Sequence, residues 1–256
     1  VVVAILLGKN PMTLFAGLGA TSAVLMLVFK DTITGLAAGV RLTSNDMLHK
    51  GDWITVKSVD ANGIVEDMSL TTVKVRNFDN TIVTISPITL VNGSFQNWIG
   101  MQKSGGRRVK RVVYFDFRSV RLVDETLKRN LLAKHFATED SFKLKESLQK
   151  AIDKDIQEGK DIEDLKNPAA LAPTNLQLYR KFMEKYLRQR PEVNTDLTLM
   201  VRHMEATQCG LPIEFYFFIK DKVWVNYEHI LADIMEHAYA LANEFGLKIY
   251  EQYPEQ

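Results

Sequence analysis

The chain has 256 residues, 46% of them hydrophobic, and its 32 Lys and Arg face 31 Asp and Glu for a formal net charge of +1. That near-neutral balance excludes a dominant polyanion-binding surface, so no nucleic-acid partner is expected. One cysteine, Cys209, excludes an internal disulfide, and a lone free cysteine is expected to be a small buried side chain.

The charges are spread unevenly. Among the first forty residues only Lys9, Lys30 and Asp31 are charged, the pattern of a membrane segment followed by a water-soluble body. "VVVAILLG" has no basic flank or cleavage site and reads as the end of a preceding membrane helix. In "GKNP", Asn10 is suited to cap the next helix and Pro11 to enter its first turn. From Met12 to Phe29 no residue is charged, which gives about 27 Å of helix at ~1.5 Å per residue, close to the hydrocarbon thickness of a bilayer.

Small residues are concentrated in that helix. Ala16, Gly17, Gly19 and Ala20, followed by Ser22 and Ala23, cover more than one of its sides. Such a helix accepts close neighbours on both flanks, as a ring of helices requires; a lone anchor with incidental glycines is the alternative. At Lys30-Asp31 the helix meets water. Asp31 is expected to cap a second helix from Thr32, in which Gly35 and Gly39 share a face. The expectation is a bent helix that changes direction between residues 30 and 35.

Gly51-Asp52 opens a β region. "WITVKSV" and "TIVTI" alternate, and "DANG" and "FDNT" are turn signals, which predicts short strands from 53 to about 86. "KSGGRRVKRVV" is a basic joint. Arg107, Arg108, Lys110 and Arg111 are expected on the solvated side of a strand, without an aromatic stacking platform. Beyond it come a strand over 109–117, a helix over 121–135 and a long polar helical excursion. The strands "DLTLMVRHMEA" and "LPIEFYFFIKD" follow, then an amphipathic helix ended by Gly246, with "LKIY" placed to close the sheet. That order is a split β-α-β layout.

Chemistry-bearing constellations are sparse. No nucleophile elbow, phosphate loop, zinc cysteine pair or dinucleotide fingerprint occurs. His229, Asp233 and His237 recur on one helix face and are expected to be an ordinary polar face. His203 and Glu205 share one side of a strand with nothing to pair with. No enzyme activity, cofactor or metal is expected.

"LMLVFKDTITGLAAGV", then "HKGDWITV", "NGIVEDMSLTTVKVRNFDNTIVTIS" and "FQNW", resembles the small-conductance mechanosensitive channels of bacteria. "NDMLHKGDWITVKSVDANGIVEDMS" is most similar to the miniconductance branch of that family. The resemblance is strong over residues 16–98 and traceable to the end of the chain. It implies a multi-domain membrane protein: a transmembrane region over 1–40 with a kinked pore-lining helix, a small all-β Sm-like domain over 41–104, and an α+β ferredoxin-like cytoplasmic domain over 105–256. Residues 136–192 stand as an insertion relative to shorter members.

The resemblance further implies a homo-oligomer, a heptamer, in the bacterial inner membrane, multi-pass, with its C-terminal domains in the cytoplasm. It would open under tension in the lipid bilayer and pass ions and small osmolytes during hypoosmotic shock. The family's two constriction rings match Ala23 and Leu27. Family members often carry leucine at both, so Ala23 is a departure and leaves Leu27 as the tighter ring. The family's kink glycine matches Asp31, a second departure, so the bend either uses Asp31 or moves to Gly35; Gly39 is retained. Lys30 and Asp31 would stand near the inner mouth. A membrane-anchored sensor or interaction module is the competing reading, and a membrane-associated enzyme the third.

Overall fold

A computed structural model describes residues 11–143, 150, 153, 154, 157 and 172–252; the expectations for residues 1–10 lie outside these. The chain divides into two compact units, Val1–Lys103 and Ser104–Gln256.

The first unit begins with one long helix, α1 (Pro11–Ser44). Proline at its first position fits, because the first amide of a helix has no intrahelical acceptor to lose. Four strands follow, β1 (Trp53–Val56), β2 (Ala61–Met68), β3 (Val73–Asn77) and β4 (Ile82–Ile85). Then come the short helix α2 (Pro87–Asn92), the two-residue strand β5 (Gln96–Asn97) and the short helix α3 (Ile99–Lys103). The antiparallel sheet runs β4-β3-β2-β1-β5.

Alternation decides which side of that sheet is dry. Ile54 and Val56, Ala61 and Val65, and Val73 and Val75 point to one side and are almost fully buried with Ile85 and Leu90, while their neighbours point out. The turns are set by residues that tolerate the left-handed region: Asp60 has φ 51° and Asn80 φ 70°. Only Asp60 of "DANG" lies in a turn; Asn62 and Gly63 already belong to β2. Gly63 is required there, since a Cβ would fall 1.9 Å from the Arg76 carbonyl oxygen on β3.

The second unit carries a three-stranded antiparallel sheet in the order β6-β8-β7, from β6 (Arg107–Phe115), β7 (Met200–His203) and β8 (Leu211–Ile219). Ile249 bridges to Phe115, so "LKIY" lies along the free edge of β6. Helices α4 (Glu125–Ala133), α5 (Asn175–Gln189) and α6 (Trp224–Glu244) pack on one face, where Ile213, Phe215, Phe217 and Ile219 of β8 are fully buried. Residues 136–192, expected as an insertion, thus include a core element. Tyr179, Met183 and Leu187 of α5 are fully buried, and the Tyr179 hydroxyl donates to the Ala238 carbonyl at 2.6 Å. Burial pushes the Tyr179 phenol well above its usual range.

Candidate pore helix and its anchorage

Helix α1 has two environments along its length. Its stretch Phe15–Ser44 is long and apolar enough to cross a membrane, with a mean hydropathy of 1.6 in its most apolar window. Phe15, Val24, Leu25, Leu27 and Val28 are all exposed, on every side of the helix, and Leu27 is 73% exposed. Hydroxyls within the span bond back one turn: Thr21 donates to the Gly17 carbonyl at 2.9 Å and Thr34 to that of Lys30 at 2.7 Å.

Ala23 and Leu27 lie one turn apart on a common face, both exposed. Ala16, Gly17, Gly19 and Ala20 are exposed too, and a Cβ at either glycine would meet nothing within 4 Å in its own chain. Lys30 and Asp31 are exposed but interior to an unbroken helix. Asp31 therefore does not cap a second helix. A cap needs non-helical backbone and free amides ahead of it, and the i→i−4 ladder runs straight through this position.

The environment changes at Gly35. Gly35, Ala38, Gly39 and Leu42 form a buried stripe at spacings of three and four, one face of the helix. A Cβ on Gly39 would lie 2.3 Å from the Leu70 carbonyl oxygen and 2.9 Å from its carbon. Gly39 thus lets α1 press its backbone against the turn between β2 and β3. Leu42 is fully buried in the β core beside Leu48 and Leu90.

The connection from α1 to β1 is fixed as well. The Met47 amide donates to the Leu42 carbonyl at 3.0 Å, and Gly51, at φ +94°, donates to Val65 at 2.9 Å. Asp52 is nearly buried. Its carboxylate accepts from the His49 amide at 3.0 Å and from Asn97 Nδ2 at 2.8 Å, and Asn97 Nδ2 also reaches the Met47 carbonyl at 3.2 Å. Residue-by-residue reading missed this Asp52–Asn97 latch, although both residues sit in quoted motifs, "KGDW" and "FQNW". A pairing 45 positions apart leaves no local signature. Beside it Trp53 and Trp98 stack at 4.7 Å, and Phe78 meets Trp53 edge-on at 5.3 Å.

The second unit redistributes its sequence candidates. His237 Nδ1 lies 2.7 Å from the Asp233 backbone oxygen, and its ring stacks on Tyr186 at 5.8 Å, which takes it away from His229. Among the described residues no three His, Cys, Asp or Glu converge to hold a metal. His203 and Glu205 are exposed. Cys209 is exposed, not buried; its amide donates to the Thr207 hydroxyl at 3.2 Å in the tight turn before β8.

The basic strand does carry aromatic partners. The Arg107 guanidinium sits 4.3 Å over the Tyr227 ring and that of Arg108 6.0 Å from the Tyr216 ring. Glu214, fully buried in β8, receives Arg202 Nε at 2.6 Å and faces Lys110 Nζ at 3.6 Å, which ties the three strands together. The bonded Arg202 guanidinium holds the Glu214 carboxyl below the usual range against the opposing effect of burial, with Lys110 adding to it.

Comparison with known proteins bears directly on the anchored end of α1. Residues 31–100 match the family model described as the β-domain of mechanosensitive ion channels. Over this stretch the chain is similar to a mechanosensitive-channel β domain. The match begins at Asp31, so it takes in the Gly35–Leu42 stripe and the Asp52–Asn97 latch together. The chain is 33% identical over 90 residues to a small-conductance mechanosensitive channel of Methanocaldococcus jannaschii, covering 35% of this chain and 25% of that protein. To a large-conductance mechanosensitive channel of the same organism it is 30% identical over 135 residues, 52% and 37% of the two lengths. The chain thus spans a quarter to little over a third of these relatives.

In fold the likeness runs almost end to end. The closed-state crystal structure of a Helicobacter pylori channel of this family superposes with a TM-score of 0.59 at 14% identity, over 98% of this chain and 74% of that one. The cryo-EM structure of Arabidopsis thaliana MSL1 gives 0.64 at 10% identity, over 97% and 69%. The expected resemblance to mechanosensitive channels is therefore found in sequence and in fold.

Proposed function

We propose that several copies of this chain, a heptamer by family resemblance, form a tension-gated channel in the bacterial inner membrane that passes ions and small osmolytes. The observation that carries this reading is the double environment of α1: uncharged and exposed on all sides as far as Phe29, then seated on the β domain through Gly39 and Leu42. A tether needs the first property and has no use for the second. A pore helix needs both, because a movement in the membrane must reach, or be resisted by, a fixed frame.

In this reading the small residues Ala16, Gly17, Gly19 and Ala20 pack against neighbouring copies, and Leu27, one turn below Ala23, lines the constriction. A ring of apolar side chains stops ions by dewetting, without closing on itself. Tension favours the state of larger in-plane area, so opening follows from that differential alone. Lys30 and Asp31 stand at the inner mouth and Gly35 is where the helix bends on gating. The β domain is the Sm-like layer beneath the membrane. The second unit is the ferredoxin-like cytoplasmic part, a description supported by its order of β6, helices, β7, β8, α6 and the Ile249 segment. The quoted motifs favour the miniconductance branch.

The test is patch-clamp recording of the protein in a bilayer under graded suction. Conductance steps that appear only under tension, and a resting leak in Leu27→Asn, support the proposal. Silence up to membrane rupture, from oligomers verified by mass, would overturn it in favour of an anchored module.

A further inference from the structure

The second unit holds a cavity of about 360 Å³ between the end of α4 and one face of α5. Three aromatic side chains line it, Phe136, Phe182 and Tyr186, beside Thr138, Ser141 and Gln189. Its charged side chains are Lys181 and Lys185, one turn apart on α5, with His135 opposite on the loop after α4. The volume is that of a small-molecule site.

Three features set it apart from an incidental groove. The rings are held in place. Phe136 meets Phe182 edge-on at 5.2 Å and lies near-parallel to Phe245 at 5.9 Å, and Tyr186 is stacked by His237 and reached by Arg190 at its hydroxyl, 3.4 Å. The lysines are uncommitted: among the described residues neither forms an ion pair, and the nearby carboxylates of Glu184 and Asp140 are engaged by Arg188 and Lys143.

The third feature is strain. Helix α4 ends with the Phe136 amide bonded to the Leu131 carbonyl at 2.9 Å and the His135 amide to that of Leu132 at 3.1 Å. This termination places the residue after the C-cap in the left-handed region, where glycine is favoured. His135 occupies it at φ 59°, a conformation that a Cβ disfavours. A side chain kept at such a position points to a use for its imidazole, and His135 lines the cavity.

We infer that this cavity binds a small anionic ring compound, a phosphorylated heterocycle of mononucleotide size, with the ring against the Phe136–Phe182–Tyr186 wall and the anionic group between Lys181, Lys185 and His135. Charge-assisted hydrogen bonds fix the anion, and the pinned rings supply a stacking surface at little ordering cost. The inference is independent of conduction, since it concerns binding to the second unit alone.

The experiment is isothermal titration of the purified full-length protein with AMP, and with adenosine and inorganic phosphate as separated halves. AMP is expected to bind saturably and at least fivefold tighter than either half. Lys181→Glu with Lys185→Glu should weaken it by tenfold or more while circular dichroism is unchanged. His135→Gly is the second variant: it relieves the backbone, so the melting temperature holds or rises while AMP binding falls. No saturable AMP binding, binding indifferent to the lysine reversal, or full binding in His135→Gly would each overturn the assignment.

Discussion

Replacing Gly39 by alanine tests the seat of α1 on the β domain. The added Cβ would sit 2.3 Å from the Leu70 carbonyl oxygen, where ordinary contact begins near 3.4 Å. Helix or turn must therefore retreat by about 1 Å, and both obstacles are backbone, which no rotamer change relieves. Overpacking of this size costs about 1–3 kcal/mol. Alanine returns about 1 kcal/mol through its better helix propensity. The net local loss is about 1 kcal/mol, and it falls on the β2–β3 turn.

That turn has a direct reporter. The Ser69 amide donates to the Thr72 carbonyl at 2.8 Å, and the Thr72 amide to Ser69 Oγ at 3.1 Å. Hydrogen exchange followed by mass spectrometry should show these amides exchanging about fivefold faster in Gly39→Ala, with β6 and β8 unchanged as an internal standard. Gly35→Ala is the matched control, because a Cβ there meets nothing within 4 Å in the same chain. Equal exchange of the Ser69–Thr72 turn in wild type and Gly39→Ala would refute the contact, and with it the claim that glycine is needed for this close approach.

Three further outcomes follow from the second unit. Glu214→Gln should lower stability at neutral pH by about 1–2 kcal/mol, a modest figure because Arg202 and Lys110 are half exposed and can rehydrate. Since the folded carboxyl is held below its unfolded range, its contribution is present above the ordinary glutamate range and lost as pH falls through the lowered value. Acid denaturation curves of Glu214→Gln should thus converge with wild type at low pH; parallel curves would contradict the pairing. Asn175→Ala should cost about 3–4 kcal/mol by urea unfolding, because its fully buried amide accepts from the Arg121 and Leu176 amides and donates to the Ser119 and Phe245 carbonyls. Cys209 should react with a maleimide in native protein as fast as after unfolding, within a few-fold; slow native labelling would show that it is covered.

The parts of this protein that were legible from sequence are those whose cause is local. Hydropathy and the absence of charge between Met12 and Phe29 report a helix in an apolar medium, because each residue carries its own transfer free energy. Alternation in "WITV" and "VKVRN" reports the dry side of the sheet for the same reason. The Gly35–Gly39 pair was visible as a smooth face, but what Gly39 faces was not, since the Leu70 carbonyl comes from a turn the helix sequence does not contain. Asp31 shows the converse failure. Asp before Thr is a capping signal in isolation, yet a cap forms only where the ladder stops, and the apolar helix on both sides carries it through.

Helix α5 and Glu214 show what buried contacts hide. The core stripe Leu176, Tyr179, Met183 and Leu187 has helical spacing, but Gln177, Arg180, Lys181, Glu184 and Lys185 are interspersed with it, and a segment so rich in charge reads as an excursion. It is integral because Ile213, Phe215, Phe217 and Ile219 on one face of a three-stranded sheet need apolar cover, and the buried stripe of α5 shares their core. Glu214 lies in "LPIEFYFFI", where a carboxylate breaks an apolar run for no local reason. Its reason arrives from the two flanking strands, Lys110 on β6 and Arg202 on β7. A buried charge is tolerable only with its partners assembled around it, so this residue becomes intelligible at the same step of assembly that pairs the sheet.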